Sequence, residues 1–128
     1  MLVTTGLYAA LLGLLSLYLG GTVGNLRGKK KIPMGDGGDA DIIVANRRHM
    51  NFVENVPIAL ILMALVEING APSMWIHFLG LPLLAARIVH PFGIKIDRMT
   101  AARGIGAGVT ALVILASAGI LLWQALVR

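Results

Sequence analysis

The sequence predicts an all-α integral membrane protein, a bundle of four transmembrane helices. Two observations carry this reading. Of 128 residues, 57% are hydrophobic and only 13% charged, and the mean hydropathy is +0.82, far too apolar for a soluble domain of this size. Four stretches each supply the roughly 20 mostly apolar residues that a helix needs to cross a bilayer. With short connections they use the whole chain as a single domain, with helices at about 2–23, 40–69, 73–92 and 100–127.

The first span contains no charge, and no Lys or Arg precedes it, so it reads as an anchor and not as a cleaved signal. Residues 25–39 form a flexible basic loop with Arg27, Lys29, Lys30, Lys31 and the turn-forming run Gly35, Asp36, Gly37, Gly38. The second helix starts between Asp39 and Asp41, where a carboxylate suits the positive end of the helix dipole. Its polar first turns protrude from the membrane. Asn69, Gly70, Ala71, Pro72 and Ser73 make a tight turn in which Ser73 caps the third helix. A loop over residues 90–98 leads to Thr100, the cap expected for the fourth helix. Pro57 and Pro82 kink the second and third helices. Gly104, Gly108, Ala107 and Ala111 allow close helix contact, inside the bundle or between copies.

The basic residues set the orientation. Arg27, Lys29, Lys30, Lys31, Arg47, Arg48, Arg87, Lys95, Arg98 and Arg103 all fall toward the first and third loops, and only Arg128 falls toward the other face. Both termini therefore lie outside and the basic loops in the cytosol. The net charge of +5 reflects inner-leaflet electrostatics and not nucleic acid, because the cations flank apolar spans and aromatic residues are few. With no cysteine there is no disulfide, thiolate nucleophile or Cys-ligated metal, so any thiol chemistry uses a thiol from outside. His49, His77 and His90 have no metal-ligand spacing, and no metal site is expected.

Residues 46–57 interrupt the second span with polar groups. At about 100° per residue, Arg47, Asn51 and Glu54 share one face. A carboxylate inside hydrocarbon is costly unless paired, and Arg87 on the third helix is the expected partner of Glu54. That pair alone locks a bundle together as readily as it serves a site. The number of arginines at the same rim points further. Three or more of Arg27, Arg47, Arg48, Arg87, Arg98 and Arg103 can converge on an anion through guanidinium forks. Lys29, Lys30, Lys31 and Arg48 read instead as snorkelling to lipid phosphates, and Arg47, Arg87 and Arg103 are assigned to the site.

Arg47-x-x-x-Asn51-x-x-Glu54-x-x-Pro57, followed by Ala86-Arg87-x-x-His90 and the Gly35-Asp36-Gly37-Gly38 loop, resembles the MAPEG superfamily, membrane-associated proteins in eicosanoid and glutathione metabolism, and especially its short bacterial members. The resemblance implies a homotrimer in a bacterial inner membrane, with glutathione as cosubstrate bound between subunits near the cytosolic face. Arg47, Asn51, Glu54, Arg87 and His90 match positions that contact the tripeptide, and Arg27 reaches it from a neighbour. An arginine at the start of the fourth helix stabilises the thiolate; Arg103 is the first choice and Arg98 the second. The implied activity is that of a glutathione S-transferase with peroxidase activity, acting on a hydrophobic electrophile or lipid. Many relatives have tyrosine where this chain has Asn55 and His90. That difference keeps a second class open, a non-catalytic lipid- or thiol-binding membrane scaffold. A small transporter ranks last, because the charges cluster at one edge.

Overall fold

The computed structural model describes residues 1–127. Arg128, the cation assigned to the far face, lies outside the described residues. The structure is all-helical, with α1 (Val3–Lys30), α2 (Ala40–Ile68), α3 (Ser73–Gly93) and α4 (Ala101–Val127). All four helices are long and apolar enough to cross a membrane.

Hydrogen bonds between helix ends define an up-down-up-down bundle. Glu67, at the end of α2, accepts from the backbone N–H groups of Thr4 and Thr5 at the start of α1. Asn69 just beyond α2 donates to Gln124 near the end of α4. At the other end the last residue of α3, Gly93, accepts a hydrogen bond from Thr100 at the start of α4. This brings the C-terminal ends of α1 and α3 together with the N-terminal ends of α2 and α4, and with them the basic residues.

The core follows helical periodicity. Phe52, Val56, Ala59, Met63 and Val66 of α2 are buried at alternating three- and four-residue steps, the spacing that keeps a seam facing its neighbours. Ile76, Leu79 and Leu83 of α3, Tyr8, Leu12 and Leu19 of α1, and Val113 of α4 close the core around it. Leu17, Phe78, Leu112 and Leu122 remain exposed, as expected of side chains meant for lipid.

One boundary and one cap differ from the sequence reading. The first helix does not end near residue 23 but runs on to Lys30, and Lys31 closes it in the left-handed region at φ 57°. Residues 25–30 are thus helical and not loop. Cations in a last turn oppose the negative end of the helix dipole, and Lys30 is further held by Asp39 and Asp41 at 2.7 and 2.6 Å. Lys30 is therefore an interhelical anchor and does not merely snorkel. Asp39 caps α2 as expected, accepting from the N–H groups of Asp41 and Ile42, and the Lys30 ammonium, with the Ile42 N–H second, holds its carboxyl below the usual carboxylate range. The second difference is the cap of α3, which starts at Ser73 as expected but has Ser73 as its first residue and not its cap, with Pro72 before it and no side-chain cap. Pro72 supplies instead its carbonyl, which accepts from Trp75 N–H at 2.9 Å.

At 1.5 Å per residue, α2 is roughly 44 Å long and α3 roughly 32 Å, against a hydrocarbon core of about 30 Å. With Arg48 of α2 bonded to the Ile94 carbonyl just past the end of α3, the polar first turns of α2 extend beyond α3. Pro57 lies inside α2, and Pro82 and Pro91 inside α3, without ending either helix.

Candidate functional site

The polar interruption of α2 meets two different neighbours. Arg47 and Glu54, two turns apart on one face, form an ion pair at 3.9 Å between half-exposed side chains. The expected pairing of Glu54 with Arg87 does not form. Arg87 is buried, with 2% of its surface exposed, and its Nη1 donates to Oδ1 of Asn51 at 2.8 Å. Asn51 is one turn nearer the α2 N-terminus than Glu54, and Glu54 is exposed, so the arginine finds the amide while the carboxylate turns to the cation on its own helix. Nε of Arg87 is buried without a hydrogen-bond partner.

Arg47 and Asn51 open onto a cavity of about 200 Å³ between α2, α4 and the α3–α4 connection. Its remaining lining includes Arg103, Lys95, Ile94 and Ile96. Three cations and an amide thus converge there, from segments far apart in sequence. Arg103 is set by its own helix start. Thr100 Oγ1 donates to the Gly93 carbonyl at 2.6 Å and accepts from Arg103 N–H at 3.3 Å, the capping role expected of it. Gly93 is required by this contact, since a Cβ there would collide with the Arg103 backbone nitrogen.

The other expected site residues fall outside this lining. His90 is buried against α4, where a Cβ added to Gly106 would lie 2.7 Å from the His90 Cβ. Its role within one chain is to seat α4. Asn55 turns inward on its own helix, Nδ2 donating to the Asn51 carbonyl at 2.8 Å. Arg98 is exposed in the α3–α4 connection. Arg27 lines a separate cavity of about 640 Å³ with Lys31, Ile32 and Pro33, and its Nε donates to the Gly35 carbonyl at 2.9 Å. Arg48 is not a free snorkelling cation either, because its Nη2 donates to the Ile94 carbonyl at 3.2 Å. Sequence reasoning did not single out Lys95 for the site. Its signal was its place in a short loop between two helices that both carry site arginines.

The profile of the MAPEG family matches residues 5–123. The chain belongs to the MAPEG family. It is also 40% identical over 89 residues to the inner membrane protein YecN of Escherichia coli strain K12, a match covering 70% of this chain and 68% of that protein. YecN of Escherichia coli O6:H1 matches to the same extent. The residues that carried the resemblance, from Arg47 through His90, lie within the matched MAPEG segment.

This MAPEG chain has groups suited to a small polyanion. Arg47 and Arg103 provide guanidinium forks for carboxylates, Lys95 adds a compact charge, and Asn51 is held in orientation by Arg87. The cavity, at about 200 Å³, is smaller than the roughly 300–1,000 Å³ of typical ligand pockets. A ligand larger than this cavity would need a further wall.

Proposed function

We propose that this protein is a membrane-bound glutathione transferase with peroxidase activity, acting on hydrophobic electrophiles. The supporting observation is the convergence of Arg47, Lys95 and Arg103 with the Arg87-oriented amide of Asn51 on one cavity. Glutathione carries two carboxylates, which match the excess of cations, and its thiol is supplied from outside as a chain without cysteine requires.

The chemistry asked of the protein is thiol activation. A free thiol titrates near 8.5 and is mostly protonated at neutral pH. A guanidinium beside the sulfur favours the thiolate, each unit of depression corresponding to about 1.4 kcal/mol. Arg103 is the first choice for this role because it lines the cavity, and Arg98 is the second. Arg47, Asn51 and Lys95 hold the carboxylates, while Arg87 positions Asn51. The thiolate then attacks an electrophilic carbon, forming a C–S bond as a leaving group departs or as the adjacent carbanion takes a proton. With a hydroperoxide, the thiolate attacks the terminal oxygen, the O–O bond breaks and the departing alkoxide takes the proton that the thiol released, giving an alcohol and a sulfenic acid. A second glutathione then attacks the sulfenic sulfur and displaces water to give the disulfide.

The small cavity favours a homotrimer in which a neighbouring subunit completes the wall, with Arg27 and Glu54 meeting the ligand only in that assembly, while His90, buried against α4, acts by seating the helix that carries Arg103. The protein resides in a bacterial inner membrane, with both termini periplasmic and the site toward the cytosol, as the layout of cations and the name of the YecN relative support.

A non-catalytic lipid- or thiol-binding scaffold is the second reading. It is favoured by Asn55 and His90, which stand where many relatives have tyrosine and which are turned into intrahelical and interhelical contacts.

The test is equilibrium binding of glutathione to the detergent-solubilised protein, read together with the ultraviolet absorbance of the thiolate, for the parent and Arg103→Ala. Binding with a thiolate signal that the variant loses supports the transferase. Binding without thiolate and without conjugation of a model electrophile supports the scaffold. Absence of binding rejects glutathione as the ligand.

A further inference from the structure

Arg47 and Arg48 are neighbours on α2, yet the helical turn of about 100° between them sends them into different cavities. Arg47 lines the cavity between α2 and α4. Arg48 lines a groove of about 140 Å³ walled by α1 and α3. Two features of this groove are unexplained by the thiol site. Its one charged group, Arg48, uses Nη2 on the Ile94 carbonyl, while Nε is buried with no hydrogen-bond partner. A guanidinium kept at such a place is costly without an anion. The walls are also graded in polarity. Thr22 and Arg48 stand toward the basic end of the bundle, whereas Leu15 and Ile88 continue as an apolar trough toward its middle. Tyr18 and Phe92 form exposed lips, at 66% and 70%.

An anionic head above an apolar trough is the shape of an anionic phospholipid. From this charge complementarity we infer that the α1–α3 groove is a binding site for one inner-leaflet anionic phospholipid, its phosphate on Arg48 and part of an acyl chain along Leu15 and Ile88. Basic recesses between transmembrane helices on the cytoplasmic side are where such headgroups are held. The Arg48 bond to the Ile94 carbonyl ties this site to the segment that lines the other cavity, but lipid binding needs no thiol chemistry.

The experiment is native mass spectrometry of the protein extracted from vesicles containing equal phosphatidylglycerol and phosphatidylcholine, for the parent, Arg48→Gln and Ile88→Trp. The parent is expected to retain one phosphatidylglycerol with a preference of roughly fivefold or more over phosphatidylcholine. Arg48→Gln loses the preference by removing the cation. Ile88→Trp fills the trough, leaves Arg48 in place and loses the retained lipid, so the proposal stays testable if Arg48→Gln fails to fold. Equal retention of the two lipids by the parent overturns the site. Unchanged phosphatidylglycerol retention in folded Arg48→Gln, or in Ile88→Trp, does the same. Displacement of the lipid by millimolar inorganic phosphate would mean a plain anion site and also overturn it.

Discussion

Arg87 donates to the side-chain oxygen of Asn51 at 2.8 Å, and through this bond a buried arginine on α3 orients an amide at the mouth of the basic cavity on α2. The bond bears on stability and, in the proposed function, on ligand binding. It satisfies one donor of a side chain that is 2% exposed, and it leaves the Asn51 amide nitrogen available to a ligand.

Asn51→Ala is therefore expected to lower stability by roughly 1.5–3 kcal/mol, the range for a lost hydrogen bond to a charged group. Asn51→Asp keeps an acceptor for Arg87 and should retain most of that stability, while repelling an anionic ligand. Thermal unfolding in detergent, with glutathione binding on the same samples, checks both. A fully stable Asn51→Ala protein would show that Arg87 does not depend on this partner.

At the opposite end, Glu67 spans α2 to α1. Its two carboxylate oxygens accept the Thr4 and Thr5 N–H groups at 2.9 and 2.8 Å, and α1 has no side-chain cap of its own at Leu2. A carboxylate at a helix N-terminus satisfies free donors and complements the dipole. Glu67→Ala should cost about 1 kcal/mol, in the range of a lost cap. The Thr4 and Thr5 amides should then exchange with deuterium several-fold faster, and Glu67→Gln should fall between. Unchanged exchange in Glu67→Ala would sink this assignment.

Three glycines of α4 give contrasting expectations. Gly106 packs on His90 and lies near the Ala86 carbonyl, whereas a Cβ at Gly104 or Gly108 meets nothing within 4 Å. Gly106→Ala forces α3 and α4 apart and should cost about 1–3 kcal/mol, as overpacking does. Gly104→Ala and Gly108→Ala should leave the chain as stable or improve it by about 0.5–1 kcal/mol through helix propensity. Melting curves of the three variants distinguish these outcomes, and loss of stability in the outer two would place a second copy against that face.

Much of the bundle was readable from the chain because the relevant signals are local. Hydropathy marked four spans. Asp39 and Thr100 marked two helix starts because a cap is a bond over three residues. That Arg47 and Glu54 share a face followed from helical period alone, although the partner expected for Glu54 was Arg87 and not Arg47. The end of α1 was misjudged because residues 25–30 are polar, and polarity was taken for loop. Their helical state rests on Asp39 and Asp41 holding Lys30 from the next helix, which no local pattern encodes.

What the sequence determined by itself is the solvent, the number of crossings, the end that carries the cations and the residues sharing a face of one helix, because composition and a period of 3.6 residues suffice for each. Only the tertiary structure decided that Arg87 meets Asn51 and not Glu54, that Lys95 joins Arg47 and Arg103, and that Arg48 turns to a groove of its own. These choices depend on how far each helix is rotated about its axis and shifted along it. That rotation and shift come from packing across the whole seam, down to whether a glycine admits a histidine at Gly106.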